Sequence, residues 1–301
     1  MNLKDYIASN LNEEQTLAAL HTKTSSLIIA GAGSWITRVL TYKIAYLIRG
    51  LQLPVQRILA VTFTNKAANE MKERLIKLGD EILSQNFDQG NQKEKANSDD
   101  LSDFLSEVQS SAKIQKGLEA RELKWIGTFH SIFLKILKED IEALGRKFTK
   151  NFWILDSDDS SKIIRDLLKR FALNDTFKPQ EVKGFISTQK NNGNTAELFL
   201  KHANGNYEAS MGKLYQEYEK ELEKANSLDF DDLLLLPYLL FKQDEKILKK
   251  WQNAFDYILV DEAQDTNWIQ FELMKLMSGT GANITLIGDD FQSIYGWRGA
   301  L

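Results

Sequence analysis

Short apolar runs followed by helical patterns open the chain. The runs lie at residues 27–31 (LIIAG), 57–63 (RILAVTF) and 125–128 (WIGT). Each leads into a stretch with apolar residues three or four positions apart, which is typical of an amphipathic helix. The helix after the second run is predicted to begin at a cap on Asn65 and to end at Gly79. Because buried strands bounded by helices build parallel sheets covered on both faces, the pattern predicts an α/β fold.

The middle of the chain follows a different pattern. Residues 152–226 are predicted to be mostly helical, with Ile164 and Leu168 on one helix face and no clear strand after Leu155. Strand-and-helix patterning returns at residues 257–260 (YILV). The sequence therefore predicts a sheet-containing domain that is interrupted by a separate helical subdomain.

Composition adds few constraints. The net charge is −4, but residues 80–120 alone hold nine acidic residues and four lysines, so the remainder is nearly neutral. A local groove in such a body can bind nucleic acid. No apolar run reaches the roughly 20 residues of a membrane span, and no secretory signal is evident. The chain has no cysteine, which excludes thiolate metal sites and favours a cytoplasmic location.

Residues 30–37 (AGAGSWIT) form a small-residue loop between a predicted strand and a predicted helix. Backbone N–H groups in such a loop, together with the helix dipole, can hold phosphate groups. A phosphate-binding loop of this type ordinarily ends in Gly-Lys-Thr or Gly-Lys-Ser, whereas Trp35, Ile36 and Thr37 stand here. Taken alone, the loop is equally compatible with a tight strand-to-helix turn.

Two acidic residues follow the apolar run at 257–260. Asp261 and Glu262 open the segment DEAQDTN. Carboxylates at the carboxyl end of a buried parallel strand face the crevice where ligands bind. There Asp261 can hold a hydrated Mg²⁺ ion, and Glu262 can orient or deprotonate a water molecule. An acidic helix cap is the alternative, although two adjacent carboxylates are costly at such a place without a partner.

Aromatic and basic residues mark further strand ends. In residues 288–300 (GDDFQSIYGWRGA), the rings of Tyr295 and Trp297 beside Arg298 suit stacking on unpaired bases. Two more segments with the same placement are TFTNKAA (62–68) and GTFHS (127–131). The alternatives are an aromatic cluster that packs the domain edge and, for the last two segments, plain helix capping.

Together these segments resemble the superfamily 1 DNA helicases of the UvrD/Rep/PcrA type. LNEEQ (11–15) resembles the Q motif of that family, TFTNKAANEM motif Ia, GTFHS motif Ib, VDEAQDTN motif II and GDDFQSIYGWRGA motif III. NSLDFDDL (226–233) resembles the usual lead-in to motif II. The resemblance covers nearly the whole chain except about residues 80–122, and the motifs are highly specific as a set.

The resemblance implies a RecA-like P-loop NTPase domain with a parallel sheet. Domain 1A is expected at residues 1–140 and 229–301, with a polar, acidic insertion at about 80–122. The helical subdomain 1B is expected at residues 141–228, where it meets the duplex junction. ATP hydrolysis in this family drives 3′-to-5′ movement along single-stranded DNA. No membrane partner is implied.

The resemblance also implies a role for individual residues. Gln15 would read the adenine of ATP, Asp261 and Thr37 would bind Mg²⁺, and Glu262 and Gln292 would complete the catalytic set. The residues that would hold the nucleotide phosphates are Ala30, Gly31, Ala32, Gly33, Ser34, Trp35, Ile36, Thr37 and Arg38. Those along the DNA path would be Phe63, Thr64, Asn65, Lys66, His130, Tyr295, Trp297 and Arg298.

This sequence departs from the family pattern in two ways. The family's loop ends GSGKT, so Trp35 and Ile36 replace its last glycine and its lysine. Ile36 cannot neutralise phosphate charge, and a ring at position 35 hinders close approach of the backbone. We therefore expect weak ATP binding and little hydrolysis. The chain also ends after motif III, before the family's second RecA-like domain, whose arginines complete the ATP site.

Two other functions remain open at this level. One is a catalytically inactive module that binds single-stranded DNA or a protein partner, which the altered loop favours. The other is an unrelated P-loop NTPase, which would leave the segments that resemble motifs Ia and III unexplained.

Overall fold

The computed structural model describes residues 2–29, 35–85, 117–279 and 281–288. These residues form two compact units. The first contains the described residues of 1–128, 254–265 and 282–301, and the second contains those of 129–253 and 266–281. The domain limits expected at residues 140 and 228 stay predictions.

The helices and strands are numbered here in chain order. The strands are β1 (Ser26–Ile29), β2 (Ile58–Thr62), β3 (Ile126–Thr128), β4 (Trp153–Ile154), β5 (Ser227–Leu228), β6 (Tyr257–Val260) and β7 (Asn283–Gly288). The helices of the first unit are α1 (Leu3–Asn10), α2 (Glu13–Leu20), α3 (Trp35–Arg49) and α4 (Asn65–Ser84). Those of the second unit are α5 (Phe129–Asp140), α6 (Ser157–Arg170), α7 (Pro179–Asn191), α8 (Ala196–His202), α9 (Gly205–Lys224), α10 (Asp232–Gln243), α11 (Glu245–Gln252) and α12 (Trp268–Ser278).

A five-stranded, wholly parallel sheet organises the first unit. The strand order is β1-β7-β6-β2-β3. All residues of β2 and β6 are buried, as expected for central strands of a sheet covered on both faces. The central register pairs Val61 with Val260, so the carboxyl ends of these two strands lie side by side. The α/β fold with a parallel sheet, predicted from the sequence, is confirmed.

Helices α3 and α4 cover apolar side chains of this sheet. Ile44 and Leu47 of α3 and Leu75 of α4 are inaccessible to solvent and belong to one cluster with Ile58 and Leu259 of the sheet. Burying each such side chain contributes about 1.5–3 kcal/mol. This packing holds the amino-terminal ends of both helices near the strands that precede them in sequence.

Helix α4 differs from the sequence prediction at both ends. Its cap is Thr64, whose Oγ1 accepts the N–H of Ala67 at 3.1 Å, so the prediction of Asn65 as the cap was wrong. The helix also passes through Gly79 and ends at Ser84. A glycine inside a helix costs about 1 kcal/mol. The apolar face that continues to Ile82 outweighs that cost.

The second unit is built from helices around two apolar clusters. One cluster joins α6, α7 and α9, and the other joins α5 and α10. A two-stranded parallel sheet, β4 with β5, pairs Trp153 with Ser227 and Ile154 with Leu228. This sheet was not predicted from the sequence, because two-residue strands show no alternation of apolar and polar positions.

Within the described ranges, no helix has both the length and the apolar character that a membrane crossing requires.

Candidate nucleotide and nucleic-acid site

The carboxyl ends of the five parallel strands share one edge of the sheet. They end at Ile29, Gly288, Val260, Thr62 and Thr128, in the order of the strands across the sheet. Ligands of open α/β sheets bind at this edge. The segments identified in the sequence follow these strand ends directly. Residues 30–34 and 289–298, which include Gln292, Tyr295, Trp297 and Arg298, lie outside the described residues.

The acidic pair, Asp261 and Glu262, directly follows β6. Asp261 is 2% exposed, and its backbone N–H donates to Val61 O at 3.0 Å. Burial and the neighbouring Glu262 charge raise the pKa of Asp261 to about 6. The backbone N–H of Glu262 donates to Oδ1 of Asp261 at 3.1 Å. A buried carboxylate at a ligand-binding edge is suited to a cation.

Glu262 has an unusual backbone conformation. Its φ is 50°, a left-handed value that costs a residue with a side chain about 1–3 kcal/mol. Gln264 Nε2 donates to Glu262 Oε2 at 2.6 Å, which fixes the carboxylate. The side-chain oxygen of Gln264 is buried and has no hydrogen-bond partner in the part of the chain that the structure describes. Backbone strain and unpaired buried acceptors are features found at functional sites, which makes this segment a candidate site.

This chain has residues that suit Mg²⁺, but two residue types in its loop do not suit the phosphates of ATP. Among the described residues there is no group of three or more acidic, histidine or cysteine side chains that could hold a metal. Mg²⁺ needs no such cluster, because it is ordinarily held by one or two carboxylates together with substrate phosphates. Asp261 and the half-buried Thr37, in the first turn of α3, therefore suit Mg²⁺. The residue types at positions 35 and 36 do not suit the phosphates.

Gln15 lies in the first turn of α2. Its side-chain oxygen accepts the N–H of Asn12 at 3.2 Å, and Asn12 Oδ1 accepts the N–H of Gln15 at 2.9 Å. At the other end of α2, the buried Lys43 of α3 donates to the carbonyls of Ala18 (3.1 Å) and His21. Burial lowers the pKa of Lys43 to about 8. Helix α2 is therefore fixed at both ends, which holds Gln15 in place.

The segment after β2 presents polar groups at a helix start. The hydroxyl of Thr62 donates to the carbonyl of Thr64 at 3.1 Å, which shapes the turn. Asn65 and Lys66 are exposed in the first turn of α4, and Phe63 is half-buried. A helix amino terminus with an exposed lysine suits a phosphate group of DNA.

His130 forms a ring stack that the sequence analysis did not foresee. Its ring lies parallel to that of Phe230, with centroids 3.8 Å apart and planes 14° apart. Burial lowers the pKa of His130 to about 4, so the imidazole is neutral at pH 7. Phe230 is 57% exposed, and a cavity of about 390 Å³ opens beside it. A large aromatic side chain flanked by acidic residues, as in LDFDD, is the sequence signal that could have identified Phe230.

A buried charge cluster holds the loop that carries Phe230. Lys190 Nζ, at the end of α7, donates to Asp229 Oδ2 and to Asp232 Oδ1, both at 2.7 Å. Tyr218 of α9 also donates to Asp229 Oδ2, at 3.0 Å. The lysine side chain is inaccessible to solvent. The two aspartates therefore fix the backbone on both sides of Phe230.

Comparison with known proteins gives a consistent result. A family model described as the UvrD/REP helicase N-terminal domain matches residues 11–301. The ATP-dependent DNA helicase PcrA of Staphylococcus epidermidis is 37% identical over 295 residues, which are 98% of this chain and 35% of that protein. The protein of the same name from Staphylococcus aureus is 36% identical over 296 residues, with the same shares. The chain thus spans about a third of the length of these curated relatives.

Proposed function

The chain belongs to the UvrD/REP helicase N-terminal domain family, and on that premise we propose that it binds ATP and single-stranded DNA as part of a 3′-to-5′ DNA helicase. The observation that carries this proposal is the shared sheet edge. There the acidic pair, the segment after β2 and the segment after β3 follow neighbouring parallel strands. The relatives are named ATP-dependent DNA helicases.

Residues from several segments would form the nucleotide half of the site. Asp261 and Thr37 would hold Mg²⁺, Gln15 would contact the adenine, and Glu262 would orient the attacking water. Mg²⁺ would supply charge neutralisation at the β- and γ-phosphates. Gln292 would respond to the terminal phosphate. In this chain, Trp35 and Ile36 remove the glycine and the cation of the phosphate loop, so we propose that hydrolysis is severely impaired.

The DNA half of the site has stacking surfaces and phosphate donors. Phe63 and Phe230 would stack on bases, since each aromatic face tolerates any base. Thr64, Asn65 and Lys66 would contact the backbone phosphates. His130 would support Phe230 from behind through their ring stack. Tyr295, Trp297 and Arg298 stay predicted contacts along the same path, and the helical region around 141–228 would meet the duplex junction.

A second candidate function is a binding module without an ATP cycle, with single-stranded DNA or a protein as its partner. The residue types at positions 35 and 36 favour it, since they oppose phosphate binding. The intact acidic pair favours the first candidate. The measurement of nucleotide affinity described in the Discussion separates the two.

The substitution Phe230→Ala is expected to lower the affinity for single-stranded DNA. Loss of one base–aromatic stack costs about 1–3 kcal/mol, or about 5- to 150-fold in the dissociation constant. Fluorescence anisotropy with a labelled oligothymidylate measures the change. Trp153→Ala is the matched control, because Trp153 is an aromatic residue of the same unit and is 74% exposed. Equal affinities for the two variants would remove Phe230 from the DNA path.

A further inference from the structure

Asn191, the last residue of α7, lies between two segments that are distant in sequence. Its Nδ2 donates to Asp231 Oδ1 at 2.9 Å, and its Oδ1 accepts Asn267 Nδ2 at 2.8 Å. Asp231 directly follows Phe230. Asn267 is the cap of α12 and the last residue of the DEAQDTN segment. One side chain therefore joins the loop of the exposed aromatic ring to the end of the acidic segment.

The partners at both ends of this hydrogen-bond chain determine which atom of each asparagine donates and which accepts. Asp231 accepts only, so Asn191 must present its amide nitrogen to it and its oxygen to Asn267. Asn267 must then present its own nitrogen to Asn191. That leaves its oxygen for the N–H of Gln270, which it accepts at 3.0 Å as the helix cap. Neither asparagine can be rotated without breaking two bonds, which makes the arrangement specific.

The contacts of the neighbouring residue Lys190 show which part of the loop is anchored without Asn191. Lys190 already binds Asp229 and Asp232, which anchors the backbone of the loop to α7. Lys190 therefore anchors the loop at Asp229 and Asp232, whereas Asp231 between them is bound by Asn191. What Asn191 adds is a bond to Asp231, next to the exposed ring.

We propose that Asn191 is a positioning residue for single-stranded DNA binding: it holds the loop of Phe230 so that the ring stays stacked on His130, and it ties that loop to Asn267. The proposal rests on the proposed function for its DNA half. It extends that function by linking the loop of the stacking residue to Asn267, the cap of α12. No step of the nucleotide reaction is assigned to Asn191.

The test compares Asn191→Ala with Asn192→Ala. Asn192 is the same residue type at the next position, is exposed, and its side chain makes no hydrogen bond within the described residues. A third variant, Asn267→Asp, keeps an oxygen that caps α12 but loses the donor to Asn191. Thermal unfolding of each variant shows whether it is folded.

The first measurement needs no DNA. The pKa of His130, followed by NMR, reports whether Phe230 still covers the imidazole ring; the chain has three histidines, so the assignment is tractable. In the parent chain and in Asn192→Ala the pKa is expected to stay near 4. In Asn191→Ala and Asn267→Asp it is expected to rise toward the ordinary 6.5. Unchanged values in both variants would overturn the proposal.

The second measurement is affinity for a labelled oligothymidylate, alone and combined with Phe230→Ala. Asn191→Ala is expected to weaken binding by about three- to tenfold, the range for loss of the one hydrogen bond, to Asp231, that holds the loop of Phe230. In the Phe230→Ala background it is expected to change nothing further, because both substitutions act on the same ring. An equal loss in both backgrounds would overturn the proposal.

The two proposals can fail separately. If the parent chain binds no oligothymidylate while the His130 pKa rises in Asn191→Ala, the proposed DNA binding is wrong and the positioning of Phe230 is supported. If Phe230→Ala weakens binding while Asn191→Ala matches Asn192→Ala in both measurements, DNA binding is supported and the role of Asn191 is refuted.

Discussion

The double substitution Trp35→Gly with Ile36→Lys is expected to raise affinity for Mg²⁺-ATP by at least about tenfold. A hydrogen bond to a charged group contributes about 1.5–3 kcal/mol, and about 1.4 kcal/mol corresponds to tenfold in a binding constant. Helix α3 begins at Trp35, so a lysine at position 36 would stand in its first turn, where the helix dipole already favours phosphate. Titration with a fluorescent ATP analogue and Mg²⁺ measures the gain.

The two single substitutions separate the causes. Ile36→Lys supplies the cation, whereas Trp35→Gly removes a large side chain and lets the backbone approach the phosphates. Leu51→Lys is the matched control, because it also replaces a branched apolar residue with lysine, at an exposed position just after α3. A similar gain in Leu51→Lys would indicate nonspecific attraction by an added charge.

The same titration distinguishes the two candidate functions. Weak binding by the parent that the double variant restores would indicate a helicase nucleotide site disabled at two residues. Tight binding by the parent would show that Gln15, Thr37 and Asp261 suffice, and that Trp35 and Ile36 are tolerated. No binding by either protein would favour the module without an ATP cycle.

The substitution Lys190→Ala is expected to lower the free energy of unfolding by about 3–5 kcal/mol, because it leaves buried carboxylates without their cation. Burial alone would lower the pKa of Lys190, but Asp229 and Asp232 outweigh it and hold the pKa well above its ordinary value. Chemical denaturation followed by circular dichroism measures the loss. Lys183→Ala, on the same helix, is the control. The contacts of Lys183 are to Ser157 and Ser161 near the surface, so a loss below about 1 kcal/mol is expected.

The pH dependence of this loss tests its electrostatic cause. Burial and the Asp229 charge raise the pKa of Asp232 from 3.8 to about 7. A carboxyl with a raised folded pKa stabilises the fold below its unfolded pKa, and this contribution disappears as the pH rises through the folded pKa. Without Lys190 the pKa of Asp232 rises further, and the pKa of Asp229, which Lys190 holds below its ordinary value against the effect of burial, rises as well. The loss in free energy of unfolding caused by Lys190→Ala is therefore expected to be larger near pH 8 than near pH 5.

A neutral cluster provides the complementary test. Lys190→Met combined with Asp229→Asn and Asp232→Asn removes all three charges together, and it is expected to recover most of the lost stability. If Lys190→Ala unfolds at the same denaturant concentration as Lys183→Ala, or if its deficit does not vary with pH, the electrostatic account of the cluster is wrong.

The parallel sheet could be predicted because its central strands are short apolar runs bounded by helical patterns. β2 and β6 were located in this way, since both are buried on both faces. The pairing of Trp153 with Ser227 could not be predicted from the sequence, because neither residue belongs to a periodic run. The end of α4 was misplaced because a glycine is locally unfavourable in a helix, while the packing of Ile82 depends on distant residues.

Candidate site residues could be proposed from the sequence where a short segment carries the signal. Asp261 and Glu262 stand at a strand end, and Asp261 is buried as a ligand-binding carboxylate should be. No feature of the sequence near Glu262 indicated its left-handed backbone conformation. Phe230 was missed as a stacking residue because its partner, His130, lies in a different helix.

The sequence by itself determined the family, the α/β class and the departure at positions 35 and 36. These depend on residue order and local periodicity, which are present before the chain folds. Only the tertiary structure decided that Lys190 meets Asp229 and Asp232, and that Asn191 joins Asp231 to Asn267. Such contacts depend on which helix faces pack together, and packing is decided by the whole core rather than by any one segment.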